Sequence, residues 1–184
     1  PLTNLEAGSI IPQATLPRKW CAYTPCFRRE AGAAGKDTRG MIRVHQFDKV
    51  ELVKVVDPDS SYDELELLTA DAEAVLQALE LPYRVRMLAS GDLSFAAAKC
   101  YDLEVYTAGI DGWLEVSSCS NFEDFQSRRM DLRVRPTGGG KVYFPHTLNG
   151  SALALPRTMI AIMENCQTDR GSIRVPAVLA PYMG

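Results

Sequence analysis

Arg28 and Glu30 lie two residues apart in a stretch, residues 20–30, that is rich in aromatic and polar residues and reads as a strand, so their side chains share a face. Arg43, Phe47, Lys49 and Glu51 share one face of the run that follows. A cleft lined by that face would offer guanidinium, aromatic, ammonium and carboxylate groups together. Such a set suits a phosphate-bearing, aromatic ligand with an amine. The plainer reading is a solvated strand face, on which Lys and Arg at edge positions discourage strand-to-strand aggregation. The spacing alone favours the plainer one.

A second group is Glu115 with Ser117 and Ser118, oxygen donors of the kind magnesium takes alongside substrate phosphates. Asp102 and Glu104 form a same-face carboxylate pair on a neighbouring predicted strand, fit for acid–base work, metal binding or simple pairing with basic neighbours. Gly138-Gly-Gly-Lys141 lacks the spacing of a phosphate-binding loop and precedes a strand, so it reads as a hairpin turn. Asn149-Gly-Ser151 does not match a nucleophile elbow. His45 and His146 could be set beside a cysteine as a thiol enzyme, but no third orienting group is suggested.

The elements that must position these residues follow from patterning. A loop, residues 31–40, joins the first strand to a long β-branched run from Met41 to Val56, together a long antiparallel hairpin. Ser61-Tyr-Asp-Glu64 fits a capping box opening an amphipathic helix with the stripe Leu65, Leu68, Ala72, Val75 and Leu79. Pro82 ends it, and residues 83–89 alternate as a strand. Tyr101–Thr107 and Trp113–Ser120 read as strands joined by a turn. Leu132–Arg135 and Val142–Phe144 read as another hairpin, and a final helix runs from about Ser151 to Cys166. The fold class expected is α+β, an antiparallel sheet flanked by helices.

With 184 residues, 46% apolar and 23% charged, one globular domain is the default, and disorder or a disulfide-stapled scaffold is excluded. No apolar run approaches the roughly 18 residues of a membrane span, and no secretion signal opens the chain, so a cytoplasmic protein is expected. The net charge of −3 confines any nucleic-acid contact to a local patch. The five cysteines include no C-x-x-C pair, which points to reduced, structural thiols.

Several of these segments resemble the seryl-tRNA synthetases of bacterial type, a class II aminoacyl-tRNA synthetase family. Thr24-Pro-Cys-Phe-Arg-Arg-Glu-Ala-Gly32, Asp37-Thr-Arg-Gly40 and Arg43-Val-His-Gln-Phe-Asp-Lys-Val-Glu51 look like its motif 2. Thr147-Leu-Asn-Gly-Ser-Ala-Leu-Ala-Leu-Pro-Arg-Thr158, running into Glu164-Asn165, looks like motif 3. Gly91-Asp-Leu-Ser-Phe95, Lys99-Cys-Tyr-Asp-Leu-Glu-Val105 and Glu115-Val-Ser-Ser-Cys-Ser-Asn-Phe-Glu-Asp-Phe-Gln126 match in order between them, and Val175-Pro to Met183 resembles the C-terminal end. The likeness covers essentially the whole chain.

That resemblance implies an ATP-dependent activation of serine to seryl-adenylate, then transfer to the 3′ end of serine tRNA. It implies Arg28, Arg29, Glu30, Val44, Phe47, Glu115, Val116, Ser117, Ser118 and Arg157 at the ATP. Among them, Arg28, Glu115 and Arg157 carry the catalysis, Glu30 reads adenine, and Phe47 and Arg157 sandwich its ring. Glu115 and Ser118 would hold Mg2+, with no zinc expected. A regular strand puts those two on opposite faces, so the carry-over requires a bulge. Glu51, Asn149 and Ser151 correspond to serine-binding positions, and Lys36 and Arg39 to contacts with the tRNA acceptor end. Residues 1–184 read as a single catalytic-domain fragment. The family's Thr-x-Glu serine-binding segment, its motif 1 and its N-terminal tRNA-binding arm would precede Pro1, so catalysis by these residues alone stays open, as does the homodimer expected of the family. Pro156 stands where a glycine is frequent. A ligase with another acceptor and a non-catalytic paralogue are the alternatives.

Overall fold

The alternating residues of the chain form a six-stranded sheet in the computed structural model, which describes residues 1–30 and 40–184. In chain order the elements are β1 (Ile10–Pro12), β2 (Arg18–Phe27), β3 (Gln46–Val56), α1 (Ser61–Ala78), β4 (Tyr83–Met87), β5 (Lys99–Thr107), β6 (Gly112–Asn121), α2 (Phe125–Arg129), β7 (Arg133–Arg135), β8 (His146–Ala154) and α3 (Leu155–Asn165). The large sheet runs β2-β3-β8-β6-β5-β4, with every neighbouring pair antiparallel. This is the expected α+β class. Helices α1 and α3 cover one face, where Val56, Leu65, Leu68, Leu103, Val116, Leu148 and Leu153 close the main core. Each such side chain contributes about 1.5–3 kcal/mol when fully buried. A smaller core of Ile11, Val55, Leu132 and Val134 lies where the parallel pair β1–β7 meets the sheet.

Five expectations need correcting. Ser61 does not cap α1: it is the first helical residue, fully buried, and its hydroxyl accepts from Asn121 Nδ2 at 3.1 Å and meets His146 Nδ1 at 2.8 Å. The turn before the helix is held instead by Asp57, whose carboxylate accepts from the Asp59 amide. Glu64 turns to Lys54 rather than back to the helix start. Along α1 the buried stripe continues through Leu76, while Val75 is exposed.

The predicted helix from Ser151 begins only at Leu155. Residues 146–154 are the central strand β8, with β3 on one side and β6 on the other. Helix-forming Ala and Leu are overridden there by the sheet, because a central position buries alternate residues and pairs both edges of the strand. Strand passes into helix with no intervening loop, and Pro156 occupies the first helical turn, where a missing N–H costs nothing. Gly150 is required by a close approach, since a Cβ there would stand 2.6 Å from Cys119 Sγ on β6.

The 132–144 segment is not a hairpin of its own. Val134 and Tyr143 form one antiparallel bridge, while β7 as a strand pairs with β1, an element too short to show in the sequence pattern. In the first hairpin the strands are shorter than expected: β2 ends at Phe27, and β3 starts at Gln46 rather than near Met41.

Candidate active site

A cleft of about 400 Å³ opens on the sheet face opposite α1 and α3, and most of the candidate residues line it. Arg28 and Glu30 reach it from beyond the end of β2, not from a regular strand as expected. Arg28 is anchored to the partner strand: its amide donates to the His45 carbonyl at 2.9 Å, and His45 Nδ1 lies 3.2 Å from the Arg28 carbonyl. His45 thus braces Arg28, a contact with no signal in the residue pattern. The Arg28 guanidinium stands 5.1 Å from the centre of the Phe47 ring, within cation–π range. Glu30 adopts a left-handed backbone (φ 50°) and accepts from Arg43 Nη1 at 2.9 Å. Val44 lines the same wall. Arg29 is exposed and does not line the cleft, and Lys36 and Arg39 lie outside the described residues.

The opposite wall comes from β6, and its register contains the bulge that the Glu115–Ser118 pairing needed. Leu103 faces Ser117 and Glu104 faces Glu115, which leaves Val116 as an extra residue on β6. The Val116 side chain enters the main core, and the Ser117 hydroxyl, almost fully buried, donates to the Ser151 carbonyl. Both residues border the cleft, but neither side chain is free within it. Glu115 and Ser118 both do face the cleft, and Ser118 Oγ lies 3.1 Å from Cys100 Sγ.

Glu115 keeps contact with water but is crowded by the walls around it. That crowding, reinforced by Asp102, raises its carboxyl above the ordinary range, against the pull of Arg157 and Arg28. Arg157, on the first turn of α3, ties three segments together. Its Nη1 donates to the Glu115 carbonyl at 2.7 Å and its Nε to the Ile42 carbonyl at 3.3 Å. Pro156 also borders the cleft.

Glu51 on β3 lies directly opposite Ser151 on β8, whose hydroxyl donates to Glu51 Oε2 at 3.3 Å. The same Oε2 receives Lys49 Nζ at 2.6 Å. Asn149, two residues along β8, lines the cleft as well. Asp102 and Glu104 do not work as a pair: Glu104 is held by Arg84 at 2.6 Å and Arg86 at 3.5 Å, while Asp102 borders a second cavity of about 250 Å³ that shares Glu115 and Ser118 with the cleft. Burial lifts the Cys119 thiol to about 11, so it stays protonated at neutral pH. His146 is held by Ser61.

Residues 1–166 match the family described as tRNA synthetase class II core domain (G, H, P, S and T). The serine–tRNA ligase of Gemmatimonas aurantiaca is 57% identical over 184 residues, all of this chain and 43% of that protein. The corresponding enzyme of Thermomicrobium roseum is 61% identical over 184 residues, all of this chain and 41% of that protein. The crystal structure of seryl-tRNA synthetase from Pyrococcus horikoshii complexed with ATP superposes with a TM-score of 0.96 at 43% identity, covering 99% of this chain and 41% of that one. The chain therefore spans less than half the length of these relatives.

Proposed function

The chain belongs to the class II tRNA synthetase core family, and from that membership we propose that residues 1–184 are catalytic-domain residues of a serine–tRNA ligase. ATP and serine react to seryl-adenylate and pyrophosphate, and the seryl group then passes to the 3′ end of serine tRNA. One observation carries this reading: a single cleft combines the Arg28, Phe47 and Arg157 groups with a Glu51–Ser151 pair joined across two strands.

The chemistry assigns each side chain a task. The serine carboxylate attacks the α-phosphorus of ATP, and pyrophosphate leaves. Arg28 faces the carboxylate and α-phosphate and stabilises the charge that builds there. Phe47 and Arg157 hold the adenine ring between an aromatic face and a planar guanidinium, a surface lysine could not supply. Glu30 reads the adenine edge beside Val44, and the backbone around Val116 and Ser117 completes the wall. Glu51 binds the substrate ammonium, and Ser151 and Asn149 define a small polar pocket. Alanine is rejected there because polar partners would be left unpaired.

Among the described residues no three His, Cys, Asp or Glu side chains cluster to hold a metal. Glu115 with Ser118 nevertheless fits Mg2+, which takes few protein oxygens and keeps water and phosphate as its other ligands. Bound there, the ion would supply neutralisation of phosphate charge. Lys36 and Arg39 are assigned to the tRNA acceptor end, and the protein is assigned to the cytoplasm as a homodimer. No described helix is long and apolar enough to cross a membrane.

The test is serine-dependent pyrophosphate exchange and tRNA charging by the full-length protein. Exchange with serine and not alanine, followed by charging of serine tRNA, is the expected result. Exchange that proceeds equally with alanine overturns the serine assignment. Serine activation without tRNA charging replaces it with a ligase for another acceptor.

A further inference from the structure

Glu51 holds an ammonium group that belongs to the protein itself. Lys49 and Glu51 stand two residues apart on one face of β3, so both point into the cleft. Lys49 Nζ lies 2.6 Å from Glu51 Oε2, the oxygen that also accepts from Ser151. Both side chains retain about a fifth of their exposure, 22% and 20%. The pair is therefore reachable by a small solute, unlike an ion pair sealed in a core.

We propose that Lys49 is a specificity-determining residue for the amino-acid substrate: its ammonium occupies Glu51 in place of the substrate's, and a ligand must displace it to bind. This rests on the serine-activating reading of the cleft and deepens it. Two ammonium groups on one carboxylate oxygen repel each other, so substrate entry releases Lys49 from Oε2. Anions lacking an amine leave the Lys49–Glu51 contact intact and gain nothing from Glu51. The lysine holds the carboxylate oriented and charge-balanced before substrate arrives, and it lowers the apparent affinity for serine in exchange.

The measurement is serine-dependent pyrophosphate exchange by the full-length protein carrying Lys49→Met, Lys49→Arg, Glu51→Gln, or Lys49→Met together with Glu51→Gln. With the internal competitor removed, Lys49→Met is expected to lower the KM for serine about three- to tenfold, the scale of a partly exposed ion pair. The KM for ATP should rise at most about twofold, from loss of one positive charge in the cleft. Lys49→Arg keeps the competing cation and should return the serine KM towards the parent value. In the Glu51→Gln background, Lys49→Met should no longer lower the serine KM. A raised or unchanged serine KM in Lys49→Met overturns the proposal, because the lysine would then help bind the substrate or touch nothing relevant to it. Parallel changes in the KM values for serine and ATP overturn it too, as the mark of a merely structural role. Absence of serine activation in the parent protein is a different failure, that of the serine–tRNA ligase reading itself.

Discussion

Strand β3 carries two lysine–glutamate pairs, one on each face, and they differ in almost everything except their chemistry. Lys54 points under α1 and is 2% exposed. Its ammonium lies 2.9 Å from Glu64 Oε2, 3.3 Å from the Glu64 carbonyl and 3.9 Å from Asp71. Lys49 points into the cleft and meets one carboxylate oxygen, with water at hand. Lys54 is sealed beneath α1, and its partner Glu64, on the helix itself, keeps only 13% of its side-chain exposure and also meets Lys19 at 3.6 Å. The second pair has no such cover. Burial, rather than pairing, separates an ion pair that holds the fold from one that can yield to a ligand.

The largest expected effect lies on the covered side. Lys54→Ala removes the buried cation from Glu64 on α1, leaving it the more distant Lys19, and should cost about 3 kcal/mol of stability, as removal of one partner from a buried pair does. Chemical denaturation measures it. A loss as small as that of Lys49→Met would erase the contrast between the faces. On the open side, Arg28→Ala should cut serine-dependent pyrophosphate exchange by about 100-fold or more, as for loss of one charge-stabilising contact. The folded state should be little affected, since Arg28 is exposed. Exchange near the parent rate would remove Arg28 from the reaction.

Between the faces lies β8 itself. Gly150→Ala sets a methyl group against Cys119 and should cost about 1–3 kcal/mol by overpacking, measured by denaturation. Stability equal to the parent would mean that β6 and β8 can separate freely. The smallest effect concerns pH. Burial alone would raise the Glu64 carboxyl, but the hydrogen bond and charge of Lys54, with Lys19, hold it below the ordinary glutamate range. Its contribution is therefore fully present above that range and is lost as pH falls through the depressed folded value. Glu64→Gln should remove that part of the acid limb, so the variant's stability should fall less steeply with acid than the parent's. Parallel acid limbs would show that Glu64 keeps its proton equilibrium on folding.

The sequence showed most of the sheet and much of the cleft, and the misses have physical causes. The aromatic and polar stretch of β2, the β-branched run of β3, the alternation of β4 and the stripe of α1 are local signals, and each produced its element. β8 was hidden because Ser151-Ala-Leu-Ala-Leu155 has the local preference of a helix, and only its place between β3 and β6 makes it a strand. Ser61 looked like a cap because its partners, Asn121 and His146, come from 60 or more residues away. In the cleft, the need for a bulge between Glu115 and Ser118 was visible from strand geometry. The brace on Arg28 was not, because a His45–Arg28 contact depends on hairpin register beyond the ends of both strands.

The direct passage of β8 into α3 makes distance in the cleft a matter of residue count. Ser151 and Arg157 are six positions apart on backbone that passes from strand straight into helix, with one extra β8 residue between Ser151 and Ala154, where three positions face two on β3, and no separate loop. That segment acts as a ruler between the amine-binding and ring-binding ends of the site. One residue inserted after Leu155 would turn Arg157 by about 100° around the helix axis and carry its guanidinium away from the Glu115 carbonyl. The strand part already accommodates one extra residue against β3, but a change in length within the helical part turns every side chain that follows it.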